Sequence, residues 1–408
     1  MSSIFEDDSV FDCFEAAHSH DPRVADDLKV EVLDWFDGSG QPCSRIASVA
    51  DLSSRPPSAL RIIFAPLDLT GTPYTDGLIW LFRHYSVPSA FLGERLQSVT
   101  HSFGSLVNDN GYNCAWFHFL CKSVSVKHAN DEAWISDPRP GLSQMDHADG
   151  TWIRSGFFLQ WKRSGKNPPQ ITLLCFEASS VLKSRLYKLP FATVNESAAR
   201  DPLSLFVIIL DDLSRQLNLT VWDVSSVFGE VETKTLKLSE SRESFTGLHN
   251  LAKHVIYLQE SSDAVLLTVK KLSMRHLSLI EEAPSENRQA MKNTAGMLTQ
   301  IETQLETANL RLRSLEKRMK NVISLSFHLV TQEGNRIMLS DSNAMATIAF
   351  VTLVFLPATT ISTIFGSQFF NQSSDGSSIT VLRDFWIFWV IAIPVTVVVI
   401  YIWTEKAT

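Results

Sequence analysis

The sequence predicts an α+β membrane protein with a cytosolic α/β domain, a very long stalk helix and two C-terminal transmembrane helices. The first observation is the charge distribution. Charged residues are spread through residues 1–341, but none occurs from Ser342 to Ser374 or from Phe385 to Thr404. Each uncharged run can cross a hydrocarbon core of about 30 Å, which needs about 20 residues. The second observation is a regular apolar repeat, free of proline, that precedes the first run.

The N-terminal part of the sequence predicts a tail followed by a domain of both helices and strands. Residues 1–25 are polar and acidic, and we expect a flexible tail. Residues 26–283 predict a cytosolic α/β domain with a helical C-terminal part. Within it, compact apolar runs bounded by turn residues predict strands, whereas apolar spacing of three and four predicts helices. The predicted strands are 59–69, 151–163 and 170–179, and the predicted helices are 76–87, 89–99, 201–231 and 244–280.

The stalk, residues 284–343, carries the strongest periodic signal. Its apolar side chains alternate at steps of three and four with charged residues between them, which predicts a long coiled-coil-like helix packed against other helices. Two or three ordinary helices in a bundle are the alternative. The apolar seam consists of Leu298, Ile301, Leu305, Ala308, Leu312, Leu315, Met319 and Val322.

Composition excludes several classes of function. A net charge of −8 without a dominant basic patch argues against a nucleic-acid partner. The five cysteines are scattered without a CxxC pair, which predicts free thiols in a reducing compartment. The acidic N-terminus lacks the pattern of a secretory or mitochondrial targeting segment. No phosphate loop, His-rich metal pattern or nucleophile motif is present, so we expect no enzyme and no cofactor.

The membrane part is predicted as a hairpin of two helices. Transmembrane helix 1 is placed at 344–365 and transmembrane helix 2 at 385–403, with an extracytosolic loop at 366–384 and a short tail at 404–408. Basic residues are concentrated before the first helix, and the loop has only Arg383. The positive-inside rule therefore predicts that both termini are cytosolic, in the plasma membrane or an internal membrane.

The first span carries a polar stripe. Thr352, Thr359 and Thr363 share a face with three apolar residues at steps of three and four, namely Met345, Ile348 and Leu356. Polar groups in a span usually face protein or water, so this face could line the inside of an assembly. Alternatively, the hydroxyls bond back to their own helix, as Ser and Thr readily do. The stripe alone leaves both interpretations open.

From about Asn343 to Phe369 the chain resembles the CorA-type divalent metal ion transporters, most closely their fungal CorA-like relatives. The resemblance is carried by Met345, by "FLPATTI" at 355–361 and by the aromatic-Gly-x-x-Phe segment at 365–369. The spacing from Pro357 to that segment matches the family without a gap. The N-terminal domain is similar only in general character.

The resemblance implies a homopentamer in a lipid bilayer that passes divalent cations through a pore. The transported ion would be Mg²⁺ or possibly Zn²⁺, Co²⁺ or Ni²⁺, and no nucleic acid is implied. Pro357 matches the family's proline and would kink the first span. The implied pore-lining residues are Ser342, Met345, Ile348, Thr352, Leu356, Thr359 and Thr363, and the implied selectivity filter is Gly366, Ser367 and Gln368.

The filter departs from the family pattern. The family has Gly-Met-Asn where this chain has Gly-Ser-Gln. Gln368 keeps an amide but adds a methylene, and Ser367 lacks the apolar side chain of Met. The resemblance therefore implies a divalent cation transporter, with a non-conducting CorA-like membrane scaffold or sensor as the alternative.

Overall fold

The structure is a computed structural model, and it divides into two compact units, Met1–Ile323 and Ser324–Thr408, each described by itself. Its described residues are 8–18, 28–36, 42–56, 58–66, 75–96, 102–129, 132–136, 150–164, 167–189, 197–236, 243–365, 370–372 and 379–407.

The described residues include the following strands and helices. The strands are β1 (Lys29–Trp35), β2 (Cys43–Ser48), β3 (Leu60–Ala65), β4 (Phe103–Val107), β5 (Asn113–Ser123), β6 (Ser125–Ala129), β7 (Glu132–Ser136), β8 (Thr151–Ser164), β9 (Asn167–Phe176), β10 (Phe370–Gln372) and β11 (Ile379–Val381). The helices are α1 (Asp8–His18), α2 (Val49–Ser53), α3 (Thr75–His84), α4 (Ser89–Leu96), α5 (Ser180–Tyr187), α6 (Ser204–Leu236), α7 (Glu243–Glu282), α8 (Ser285–Phe365) and α9 (Phe385–Ala407).

A seven-stranded mixed sheet organises the first unit, in the order β2-β1-β3-β9-β8-β5-β4. Only β3 and β9 pair in parallel, and the other neighbours are antiparallel. Side chains alternate between the two faces, as the pleat requires. Ile62 joins the core shared with α6–α8, whereas Ile63 joins the core shared with α1, α3 and α4. The predicted α/β domain with helical C-terminal part is confirmed as a fold class.

The predicted flexible tail is wrong for residues 8–18, which form α1. Phe14 is fully buried, and its ring meets that of Phe82 edge-on at a centroid distance of 5.9 Å. Val10 and Phe11 pack partly buried against the same core. The acidic composition of this segment favoured a tail, but a helix places its three apolar side chains where they can pack against α3 and α4.

The stalk seam is confirmed as a packed stripe. All eight residues of the seam are buried, from Leu298 to Val322. Most of them join the core formed with α6 and α7, so the apolar side chains of the repeat are covered by helices of the same chain. Polar contacts flank the stripe, including Asn309 Nδ2 donating to Asp263 Oδ1 at 2.8 Å and Arg311 lying 3.7 Å over the Trp222 ring.

A buried polar pair joins the beginning of α6 to α7. Asp201 and His276 are both buried, and Asp201 Oδ2 lies 2.8 Å from His276 Nε2. Asp201 Oδ1 also accepts a hydrogen bond from the Leu203 amide at 3.2 Å. The Asp-Pro sequence indicated a helix start here, but not that the aspartate contacts a residue 75 positions later.

The five cysteines form no disulfide. Cys114, Cys121 and Cys175 are buried in β5 and β9, whereas Cys13 and Cys43 are exposed. Burial raises the pKa of the Cys114 thiol and of the Cys121 thiol to about 12, and it raises the pKa of Cys175 as well. The predicted free thiols are therefore observed, and three of them are buried.

The second unit contains the end of α8, the β10–β11 hairpin and α9. Helices α8 and α9 each include a stretch long and apolar enough to cross a membrane. They contact each other through Phe350 and Trp403, whose ring centroids lie 5.9 Å apart. The hairpin pairs Phe370 with Val381 within the segment predicted as an extracytosolic loop.

Candidate functional site

The predicted pore-lining stripe is exposed along its whole length. Met345, Ile348 and Leu356 are 70%, 67% and 58% exposed, although all three are large and apolar. Ser342, Thr352, Thr359 and Thr363 are exposed as well. Within the described part of the chain, nothing covers this face of α8.

The buried residues of the same span lie on the other side of the helix. Pro357 and Ile361 are buried, and Leu353, Val354 and Ala358 are partly buried. At about 100° per residue, these positions fall roughly opposite the exposed stripe. Ala392 of α9 is buried too. From Leu353 to Ile361 the first span therefore has one face covered within the chain, whereas the described residues 341–352 are exposed on every face.

The threonine hydroxyls of the stripe bond back to their own helix. Thr352 Oγ1 donates to the Ile348 carbonyl at 2.8 Å, and Thr363 Oγ1 donates to the Thr359 carbonyl at 2.6 Å. Thr359 Oγ1 lies 3.0 Å and 2.9 Å from the Phe355 and Leu356 carbonyls. Each hydroxyl has one hydrogen and two acceptor lone pairs. Back-bonding uses the hydrogen, so the exposed oxygen remains an acceptor, and the two interpretations of the stripe are compatible.

Pro357 lies on the covered face, inside a helix that continues to Phe365. Proline has no N–H, so the carbonyl of Leu353 loses its usual helical partner. In the same turn of the helix, Thr360 Oγ1 donates a hydrogen bond to the Leu356 carbonyl at 2.7 Å. The predicted kink at Pro357 stays a prediction.

The predicted filter lies outside the described residues. Gly366, Ser367 and Gln368 belong to the segment 366–369, between the end of α8 and the start of β10. Their role stays a prediction from the sequence. Among the residues that the structure describes, no group of three or more His, Cys, Asp or Glu side chains is arranged to hold a metal ion.

Comparison with known proteins gives matches in sequence and in structure. The sequence model of the family described as "CorA-like Mg²⁺ transporter protein" matches residues 178–406. A curated relative, "Notoamide biosynthesis cluster protein M'" of Aspergillus versicolor, is 32% identical over 161 residues, which is 38% of this chain and 36% of that protein. The chain thus aligns with about a third of that relative's length.

Two solved structures are similar over most of both chains. The CorA magnesium transporter from Methanocaldococcus jannaschii has 15% sequence identity and a TM-score of 0.44, covering 91% of this chain and 96% of its own. The full-length CmaX protein has 13% identity and a TM-score of 0.47, covering 94% and 99%.

Proposed function

The chain belongs to the family of CorA-like Mg²⁺ transporter proteins, and from this premise we propose that it conducts divalent cations through a homopentameric pore lined by α8. The membrane potential would drive the ions. The proposal is carried by one observation, the exposed stripe from Met345 to Thr363, whose second half lies opposite the face covered from Leu353 to Ile361.

Two spans cannot enclose a water path by themselves. Exposed threonine oxygens in a membrane span need protein or water as partners, because lipid offers neither donors nor acceptors. Several copies of α8 that turn this face toward a common axis would give the oxygens water. The opposite face would stay against α9, which would separate the pore helices from lipid.

The orientation of the hydroxyls suits a hydrated cation. Mg²⁺ releases its water ligands reluctantly, and those waters donate hydrogen bonds outward. Thr352, Thr359 and Thr363 present acceptor oxygens because their hydrogens are used inside the helix. The apolar rings at Met345, Ile348 and Leu356 would be the hydrophobic constrictions, which gate by dewetting.

The termini are proposed to be cytosolic. Arg336 is exposed before the first span, and further exposed basic residues precede it on α8. The loop has only Arg383. Because positive residues are retained on the cytoplasmic side, this distribution supports a cytosolic stalk and an extracytosolic hairpin.

Replacing Gln368 with alanine is expected to reduce divalent-cation uptake by about tenfold, the equivalent of about 1.4 kcal/mol or one hydrogen bond. In the proposed homopentamer, five Gln368 side chains would form a ring of amide oxygens that holds the ion's water shell, and alanine would remove this ring. The measurement is uptake into liposomes that contain a Mg²⁺- or Zn²⁺-sensitive dye.

Gln368→Asn is the matched control, since it keeps an amide at this position and should retain uptake. Wild-type rates in the alanine variant would contradict a filter at Gln368. The substituted tripeptide also supports the second candidate, a non-conducting scaffold or sensor. That candidate is favoured if the wild-type protein moves none of Mg²⁺, Zn²⁺, Co²⁺ and Ni²⁺.

A further inference from the structure

We propose that a cleft between the beginning of α6 and the first turns of α8 binds a small organic anion, with the charged group of the ligand on Arg200 and its apolar part on Met297. The ligand class is a compact apolar body that carries one carboxylate or phosphate. The cleft lies within the first unit, and the inference does not depend on the proposed function of the spans.

The cleft encloses about 380 Å³ and is bounded by two segments of the chain. Ser197, Arg200 and Ser204 line it from the side of α6, and Asn293 and Met297 line it from α8. Small-molecule sites typically have volumes of about 300–1,000 Å³ and combine apolar lining with a few convergent polar groups. The cleft matches this description in both size and lining.

Arg200 is the one charged side chain among the described residues that line the cleft. It is exposed, so its guanidinium group is accessible to a ligand that arrives from solvent. The planar fork of N–H donors matches the two oxygens of a carboxylate or phosphate. Ser197 and Ser204 add one hydroxyl group each to the same wall. The polar part of the cleft therefore favours an anion.

The acidic neighbour of Arg200 in the sequence does not line the cleft. Asp201 is 2% exposed, and its carboxylate lies in the interior, 2.8 Å from His276 Nε2. The Asp201 amide donates to the Ser197 carbonyl at 2.8 Å, and the Ser204 amide donates to the Asp201 carbonyl at 3.1 Å. The turn that carries Arg200 is thus fixed before a ligand binds, which lowers the entropic cost of binding.

The wall formed by α8 supplies an amide donor. Gln289 Nε2 donates to Asn293 Oδ1 at 3.3 Å. Because this bond uses the amide oxygen of Asn293, its Nδ2 group is left to donate to a ligand. An anionic group in the cleft would therefore meet donors from both helices.

The rest of the lining is apolar. Val207 is buried and Ala290 is partly buried, whereas Met297 is 45% exposed although it is large and apolar. The flexible thioether side chain of methionine adapts to ligands of different shape. A bare inorganic ion would leave this apolar surface in water, so the lining fits an anion that is joined to an apolar body.

The test is isothermal titration calorimetry of the full-length protein in nanodiscs, with empty nanodiscs as the blank. The four probes are phenyl phosphate, benzoate, inorganic phosphate and benzyl alcohol. Phenyl phosphate or benzoate should bind at least about tenfold more tightly than the bare ion and the neutral alcohol, since each of these lacks one part of the ligand. The tighter of the two organic anions identifies the charged group as phosphate or carboxylate.

Arg200→Gln is expected to weaken binding of the tighter organic anion by about tenfold or more, because it removes a charge-assisted contact. Arg200→Lys keeps the charge without the planar fork and should recover part of the affinity. Lys292→Gln is the matched control. Lys292 is exposed on the same stretch of α8 but does not line the cleft, so affinity should stay within about twofold of wild type.

Three outcomes would overturn the inference. Wild-type affinity in Arg200→Gln, or an equal loss in Lys292→Gln, would exclude a specific contact with Arg200. Inorganic phosphate that binds as tightly as phenyl phosphate would exclude the proposed ligand class. Absence of binding by both organic anions at millimolar concentrations would exclude the site. None of these outcomes bears on the proposed function, because the titration does not measure transport.

Discussion

Replacing Thr359 with tryptophan is expected to reduce divalent-cation uptake to the level of protein-free liposomes. Thr359 is exposed in the polar stripe, and its hydroxyl bonds to carbonyls of its own helix. In the proposed pentamer, five indole rings would meet at one level of the pore and exclude a hydrated ion. The measurement is the initial rate of Mg²⁺ uptake, followed with a dye inside liposomes.

The matched control for this plug is Val351→Trp. Val351 lies in the same span and is exposed, and it is displaced by about 80° around the helix from Thr359. A tryptophan there would meet lipid or a neighbouring helix, and uptake should be retained. Unchanged uptake in Thr359→Trp, or an equal block by Val351→Trp, would contradict a pathway along this face of α8.

Leu312→Asp is expected to destabilise the first unit by more than about 4 kcal/mol, because it buries an unpaired carboxylate and removes a packed side chain. Leu312 is 0% exposed in the stalk seam. Folded domains are stable by only about 5–15 kcal/mol, so this loss is a large fraction of the total. The expected fall in melting temperature of the purified full-length protein is roughly 10 °C.

Leu310→Asp provides the comparison two residues away. Leu310 is 67% exposed on the same helix, so an aspartate there stays in water. Its melting temperature should stay close to that of the wild-type protein, since surface substitutions change stability by about 0.5 kcal/mol or less. If both variants melt alike, the seam does not contribute to the core as its burial indicates.

The long repeats of this chain could be predicted from the sequence because they depend on period and not on particular contacts. The seam from Leu298 to Val322 repeats the same spacing over many turns, and its burial follows from that spacing. The two spans are equally predictable, since charge is absent over lengths that match a bilayer. Strand β3 was predictable because its apolar residues are bounded by turn residues.

Features that depend on one distant partner could not be predicted. Helix α1 is held by Phe14 against Phe82, and its own composition is that of a solvated tail. The pairing of Asp201 with His276 joins residues far apart in sequence. Neither feature leaves a long periodic signal, because each depends on only a few side chains in a short segment.

The candidate site was only partly predictable. The stripe of the span follows from spacing, but spacing cannot show whether a threonine bonds to its own helix or faces outward. In this chain Thr352 does both.

The distribution of thiols makes this chain convenient for site-specific labelling. Burial raises the pKa of Cys114 and of Cys121 to about 12, so their reactive thiolate forms are scarce near neutral pH and maleimide reagents should modify them far more slowly than an exposed thiol. Cys175 is buried in the same sheet and is protected likewise. Serine at the two exposed positions, Cys13 and Cys43, would thus leave a protein in which an introduced cysteine is the only reactive one. A spin label at Thr359 could then report distances between copies of α8 in the proposed pentamer without disturbing the buried sheet.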